Sequence, residues 1–293
     1  MQTNFTQPTD YCYNAIAFFP LILTMVNRIN ETFKRLKSKH RGGFIPFIMA
    51  GDPNLQTTGK LILELEKIGA NIIELGVPFS DPVADGITIQ HSAERALRND
   101  FGVKEILETV ADVRKKGCEV AIILFSYFNP ILQFGLEKFA AEAERIGLDG
   151  VLLTDLIAEE AESFRAVLSA KNQSLIMLAA PTSSDERLEK IVANADGFIY
   201  AVSRAGVTGA RTDLSSDAEN LVNRIRKLTN LPIAVGFGIS NAEQVAETWQ
   251  YADAAVVGSA IVAEMIRLAP NADKVSADFV HNIGKFARIF LQD

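Results

Sequence analysis

The 293 residues of the chain include 36 acidic and 29 basic side chains, a formal net charge of −7 at pH 7. This balance argues against a nucleic-acid-binding protein, which needs a basic face; the 48% hydrophobic and 22% charged residues are ordinary for a soluble globular fold. Two distant cysteines, Cys12 and Cys118, favour a reducing cytoplasm over a disulfide framework. The histidines His40, His91 and His281 lack metal-ligand spacing, so no metal site is predicted.

The first 24 residues read as an N-terminal extension of a catalytic domain that spans residues 25–293. Residues 15–26, which run from the extension into the domain, form the only stretch that resembles a targeting segment, because they are almost all apolar. However, no Lys or Arg precedes them, no small-residue cleavage site follows, and the stretch is too short to span a bilayer. Two explanations fit. In the first, Met25 is the functional start and residues 1–24 are an appendage translated from an upstream start. In the second, the extension is genuine and packs on the domain. N-terminal sequencing of the native protein would separate the two.

From Phe44 onward, short apolar runs alternate with amphipathic segments eight times. The runs are rich in Val, Ile, Leu and Phe, which predicts buried parallel strands at 44–49, 71–76, 120–125, 150–154, 174–179, 197–202, 232–237 and 253–258. Helical spacing of apolar residues is clearest at 58–68, 103–116, 136–146, 158–170, 185–193, 217–228 and 242–251. Basic residues at 34–41 indicate the end of a first helix, and Ser259 begins a helical run to Leu268.

Strict strand–helix alternation without a long linker predicts an α/β fold, a single (β/α)8 TIM barrel. It would carry an extra N-terminal helix and a short phosphate-binding helix after strand eight. The alternative is an open doubly wound sheet. Against it, Gly51-Asp52-Pro53 after the first strand lacks the glycine spacing of a dinucleotide site. In a barrel, functional groups lie at the carboxyl-terminal ends of the strands.

Two acidic residues stand at that end of the second predicted strand. Glu74 interrupts an apolar strand, where an ionised carboxyl is costly unless it is paired or solvated. Strand alternation places it opposite Ile73 and Leu75, facing the barrel lumen. Asp85 follows the loop after that strand. The functional interpretation is a proton-exchanging pair; the alternatives are a structural hydrogen bond for Glu74 and a simple Asp-Gly turn for Asp85.

Glycine-rich segments follow strands six, seven and eight. Thr208 lies between Gly206 and Gly209, as in a hinged lid, although an ordinary surface turn fits nearly as well. The segments at 236–238 and 258–261 allow close backbone approach, and free N–H groups at the helix that Ser259 begins would hold an anion without Lys or Arg.

Together these residues resemble the alpha subunit of tryptophan synthase. The resemblance rests on Glu74 followed by LGVPFSDP at 75–82 and ADG at 84–86, on SRAGVTGA at 203–210, and on GFGIS at 236–240 and GSAIV at 258–262. It runs from about Asn27 to the C-terminus. It implies a lyase of tryptophan biosynthesis that cleaves indole-3-glycerol phosphate to indole and glyceraldehyde 3-phosphate by a retro-aldol reaction.

The resemblance also implies roles for individual residues. Glu74 would be the general acid and base at indole C3 and the glycerol hydroxyl, and Asp85 would stabilise and accept the proton of the indole N–H. The implied substrate-binding residues are Phe47, Phe125, Tyr127, Leu152, Leu178, Tyr200, Thr208 and Phe237. The implied phosphate-binding residues are Gly209, Gly238, Gly258 and Ser259.

A partner is implied as well: a pyridoxal-phosphate beta subunit that receives indole in an alpha2beta2 heterotetramer. This chain would bind no cofactor itself, and residues 78–81 and Asn129 would meet the partner. Met49, Ile87 and Ile157 stand where the family usually has Thr, Pro and Pro. There are two alternatives. High activity without the partner would favour a stand-alone lyase. The intact carboxyl pair argues against a non-catalytic activator of a beta subunit.

Overall fold

The computed structural model describes residues 27–203, 216–236, 238–272 and 274–291, and within them the strands close into a barrel. All neighbouring strands are parallel and follow chain order, and the eighth pairs with the first. The predicted TIM barrel is thus confirmed, and the open doubly wound sheet is wrong. Residues 1–24, the predicted extension, lie outside the described residues.

The strands match the predicted apolar runs to within one or two residues at either end. They are β1 (Gly43–Met49), β2 (Ile72–Gly76), β3 (Ala121–Ser126), β4 (Gly150–Leu153), β5 (Ser174–Ala179), β6 (Ile199–Val202), β7 (Ile233–Gly236) and β8 (Ala254–Val257). All but two of their residues are buried, as expected for parallel strands covered by helices.

The helices surround the barrel and close its amino-terminal end. They are α1 (Arg28–Ser38), α2 (Leu55–Ile68), α3 (Ile87–Ala96), α4 (Val103–Lys115), α5 (Phe128–Phe134), α6 (Leu136–Ile146), α7 (Ala161–Ser169), α8 (Asp185–Ala193), α9 (Ser216–Arg226), α10 (Ala242–Thr248), α11 (Ser259–Leu268) and α12 (Phe279–Arg288). Three of them, α3, α5 and α12, have no counterpart among the predicted segments.

Local sequence signals set several helix boundaries. Gly69 and Gly147 end α2 and α6 in the left-handed conformation that glycine adopts without strain. The Ser184 hydroxyl accepts the Arg187 N–H at the start of α8. At the base of the barrel, the extra N-terminal helix α1 packs Phe33 against Phe198, with ring centroids 5.7 Å apart.

Strand alternation divides the core into two parts. Side chains such as Ile73 and Leu75 pack between the sheet and the helices, whereas Phe47, Ile72 and Phe125 belong to a second cluster inside the barrel. In the parts of the chain that the structure describes, no helix combines the length and the apolar character needed to cross a membrane.

Candidate active site

Glu74 occupies the lumen face of β2, as strand alternation predicts. Its Cα pairs in register with Phe47 on β1 and Ile123 on β3, both members of the lumen cluster. Only 1% of Glu74 is exposed. The carboxyl group therefore lies inside the barrel, surrounded by apolar and aromatic side chains.

Burial changes the protonation of this carboxyl group. Its Oε1 atom has no hydrogen-bond partner within the described residues, so little offsets the loss of hydration of the charged form. Desolvation raises the pKa of Glu74 from 4.5 to about 8. At neutral pH the side chain is mainly protonated and can donate a proton.

Asp85 lies in a different setting, at the end of the loop that follows β2. It immediately precedes Gly86, the N-cap of α3, and its carbonyl oxygen accepts the Gln90 side-chain amide at 2.8 Å. The residue is buried, and desolvation raises the pKa of its carboxyl group to about 6. A hydrogen bond from the Tyr127 hydroxyl limits this rise by favouring the carboxylate. Asp85 is thus mostly ionised at neutral pH.

Tyr127 holds the loop at this position. It follows β3, and its hydroxyl oxygen accepts the Ala84 N–H at 2.9 Å while donating to the Asp85 carboxyl group. Its ring stacks at a tilt on Phe79, with centroids 5.1 Å apart. The sequence resemblance gives Tyr127 only as a pocket residue. No spacing rule connects residues 85 and 127, so their contact had no sequence signal.

Aromatic side chains form the wall beside Glu74. The Phe47 and Phe125 rings meet edge to face with centroids 5.3 Å apart. A Cβ atom on Gly76 would lie 2.5 Å from Phe47 Cζ and 3.2 Å from Met49 Sδ, so the ring and the thioether cover bare backbone at that point. The wall is apolar and offers a flat surface to an aromatic ring.

Tyr200 on β6 completes the lumen near the carboxyl pair. Burial, and then the charges of Glu74 and Asp85, raise the pKa of its phenol well above the ordinary value, so it remains neutral. Its hydroxyl oxygen lies 2.0 Å from where a Cβ atom on Gly236 would stand. Leu152 is fully buried in the same cluster, and the half-buried Leu178 packs against it.

Three of the four predicted phosphate residues, Gly238, Gly258 and Ser259, lie beyond the carboxyl-terminal ends of β7 and β8. Gly238 is exposed with φ +87°, and Gly258 precedes α11, whose first residue is the exposed Ser259. The first turn of α11 contains no acidic residue. Its N–H groups and dipole can therefore receive an anion. Thr208, Gly209 and Phe237 lie outside the described residues.

Among the described residues, no group of three or more His, Cys, Asp or Glu side chains could hold a metal ion. The barrel mouth brings together two buried carboxyl groups in unlike environments, an aromatic wall and the amino terminus of α11. This combination suits general acid–base catalysis on an aromatic substrate that carries a phosphate.

Known proteins share both the sequence and the fold. The sequence model of the tryptophan synthase alpha chain family matches residues 33–290. The tryptophan synthase alpha chain of Chloroflexus aggregans is 44% identical over 246 residues, which cover 84% of this chain and 92% of that relative.

Two solved structures agree. Tryptophan synthase subunit alpha from Legionella pneumophila str. Paris superposes with a TM-score of 0.81 at 35% identity, covering 90% of this chain and 97% of that one. A chain of the tryptophan synthase α2β2 complex from Pyrococcus furiosus gives a TM-score of 0.78 at 38% identity, covering 85% and 98%. The chain therefore belongs to the tryptophan synthase alpha chain family.

Proposed function

We propose that Glu74 and Asp85 together catalyse the retro-aldol cleavage of indole-3-glycerol phosphate to indole and glyceraldehyde 3-phosphate. Membership of the family makes the chain a carbon–carbon lyase of tryptophan biosynthesis. The observation that carries the residue assignment is the unlike environment of the two buried carboxyl groups: Glu74 Oε1 has no hydrogen-bond partner within the described residues, whereas Asp85 has the Tyr127 hydroxyl beside it. Glu74 has a pKa of about 8 and Asp85 a pKa of about 6, so near pH 7 one is an acid and the other an anion.

The reaction needs these two states at once. Protonated Glu74 donates its proton to C3 of the indole ring, and positive charge develops at the ring nitrogen. The Asp85 carboxylate accepts a hydrogen bond from that N–H and stabilises the cation. The bond from C3 to the glycerol carbon then breaks, its electron pair returns to the ring, and the adjacent hydroxyl becomes an aldehyde. Glu74, now ionised, takes the hydroxyl proton and is regenerated.

Binding follows from the surfaces around the pair. The Phe47 and Phe125 rings suit the flat indole, while Leu152, Leu178 and Tyr200 bound the rest of the lumen. The phosphate is assigned to Gly238 and to Gly258 and Ser259 at the start of α11, together with Gly209. Thr208 and Phe237 complete the proposed substrate contacts. Anchoring both ends of the substrate holds C3 near Glu74, which lowers the entropic cost of reaction.

The partner in this proposal is a tryptophan synthase beta subunit, in an alpha2beta2 heterotetramer, with pyridoxal phosphate bound by that subunit alone. Support comes from apolar side chains exposed on the loops and helices that follow β2, β3 and β4: Val83, Ile87, Leu132 and Ile157, exposed by 80, 84, 50 and 42%. Asn129 and Asp81 are exposed on the same side. A rim of this composition is typical of an interface.

We place the complex in the cytoplasm, in keeping with the free thiol of buried Cys118.

Release of indole from indole-3-glycerol phosphate, with and without a beta subunit, tests the function. Glu74→Gln should abolish indole release while substrate still binds, because the amide cannot donate a proton to C3. Asp85→Asn should lower kcat more than it weakens binding. Wild-type indole release by Glu74→Gln would remove the proposed acid.

A further inference from the structure

A buried polar cluster lies apart from the carboxyl pair, between the turn after β1 and the helix α3. Asp52 is fully buried, and its carboxylate accepts the Ser92 hydroxyl at 2.5 Å and Arg95 Nε at 2.9 Å. The Arg95 side chain is only 3% exposed. The mechanism proposed above uses none of the three, although a buried ion pair is expensive to form.

The turn that holds Asp52 is itself fixed. Gly51 has φ +80°, its N–H donates to Thr58 Oγ1 at 3.0 Å, and a Cβ atom there would lie 2.1 Å from Phe101 Cζ. The Asn99 side chain, just beyond α3, donates to the carbonyl oxygens of Gly51 and Pro53. The cluster thus ties the end of α3 to a rigid turn of the barrel.

Asp85 lies just before the other end of α3, its amino terminus. The helix begins directly after Gly86, and Arg95 lies ten residues after Asp85 (95 − 85 = 10), or about 15 Å along a helix. Between these ends, Ala93 and Ala96 pack into the lumen cluster with Val262 of α11. Helix α3 therefore packs against α11, and it is attached after β3 through the bond between Ala84 and Tyr127 and after β1 through Asp52.

Stability alone is a weak reason for such a cluster. Replacing a buried ion pair by apolar side chains of similar volume is often neutral or stabilising. Within the described residues, Nη1 and Nη2 of Arg95 have no hydrogen-bond partner, which makes the pair costlier still. What directional bonds from Asp52 provide, and an apolar contact does not, is one fixed register of α3 against β1.

We propose that Asp52, Ser92 and Arg95 are positioning residues that hold α3, and thereby Asp85, in the register needed for cleavage. This inference rests on the proposed function, because it takes Asp85 as the group that acts on the substrate. A displacement of about 1 Å at a reacting group can cost roughly a hundredfold in rate.

The test separates positioning from stability. In the full-length chain, Arg95→Met breaks the pair, and the double variant Asp52→Leu/Arg95→Met replaces it by an apolar contact. The urea midpoint of unfolding should fall in the single variant and recover in the double variant. In both, kcat for indole release should stay about tenfold or more below wild type, with KM within about threefold. Arg95→Lys should restore part of kcat.

A matched control lies at the opposite end of the barrel. There Arg114 Nη2 contacts buried Asp149 at 2.8 Å, below β4 and far from the mouth. Arg114→Met should lower the unfolding midpoint without changing kcat. Wild-type kcat in the recovered double variant would show that the Asp52 cluster is structural only. Should the double variant not fold, Ser92→Ala decides: at an unchanged midpoint, an unchanged kcat overturns the proposal.

A double-mutant cycle distinguishes this inference from the proposed function. If Arg95 acts through Asp85, adding Arg95→Met to Asp85→Asn should cause no further loss of kcat. Independent, multiplying losses would refute the positioning role and leave the role of Asp85 intact. Wild-type kcat in Asp85→Asn alone would instead refute the proposed function.

Discussion

Glu74→Gln should change how the stability of the protein depends on pH. Burial raises the pKa of Glu74 from 4.5 to about 8, so the folded state holds this proton over a range in which the unfolded chain has released it. Because the folded state binds more protons there, the free energy of unfolding falls as pH rises, by about 1.4 kcal/mol per pH unit. The free energy of unfolding is therefore highest, as far as Glu74 is concerned, below pH 4.5, and it falls between pH 4.5 and about pH 8.

The glutamine variant lacks this proton and therefore this slope. Between pH 4.5 and about 8, its free energy of unfolding should rise by about 5 kcal/mol relative to that of wild type, since about 3.5 pH units separate the ordinary and the raised pKa of Glu74. Urea unfolding of both proteins at several pH values measures the difference, in which contributions from other groups cancel. Because the test follows how this difference changes with pH, any constant difference in unfolding free energy between the two proteins does not affect it. A difference that does not vary between about pH 5 and 8 would refute a buried carboxyl group of raised pKa.

Three further predictions concern activity. The ratio kcat/KM should be bell-shaped, rising through about pH 6 as Asp85 ionises and falling through about pH 8 as Glu74 loses its proton; a flat profile would contradict the pair. Tyr127→Phe should lower kcat about tenfold and move the acid limb to higher pH, because Asp85 loses a hydrogen bond that favours its carboxylate; an unmoved limb would deny that bond. Gly76→Ala should raise KM and destabilise by about 1–3 kcal/mol, since its Cβ would meet Phe47; wild-type KM in steady-state assays would count against the aromatic wall.

The barrel could be predicted because its strands are short, apolar and buried on both faces. Such runs keep their signal in the sequence whatever surrounds them. The lumen position of Glu74 followed from the same alternation, since an acidic residue among Ile73 and Leu75 can only face the other side.

The missed helices lack that signal for identifiable reasons. Helix α3 buries Ser92 and Arg95 against β1, so its inner face does not read as an apolar stripe. Helix α5 has only seven residues and contains Pro130. Helix α12 does show apolar spacing at Phe279, Ile283 and Ala287, but it follows the eighth strand–helix unit and falls outside an eightfold pattern.

Contacts between loops could not be predicted at all. The bond from the Ala84 N–H to the Tyr127 hydroxyl and the cluster around Asp52 join residues about forty positions apart, and they depend on where the closed barrel brings the strand ends. Most of the substrate residues were accessible only through the family resemblance, whereas the helix that Ser259 begins already indicated an anion site through its free N–H groups.

The glycine walls restrict how the enzyme can be redesigned for bulkier substituted indoles. At positions 76 and 236 the lumen is lined by main chain, pressed by Phe47 and by the Tyr200 hydroxyl. Nothing can be trimmed from a glycine, and any larger residue there collides with an aromatic neighbour. Libraries that seek new halogenated or alkylated products should therefore vary Met49 and Leu178, whose side chains can be shortened, and leave both glycines untouched.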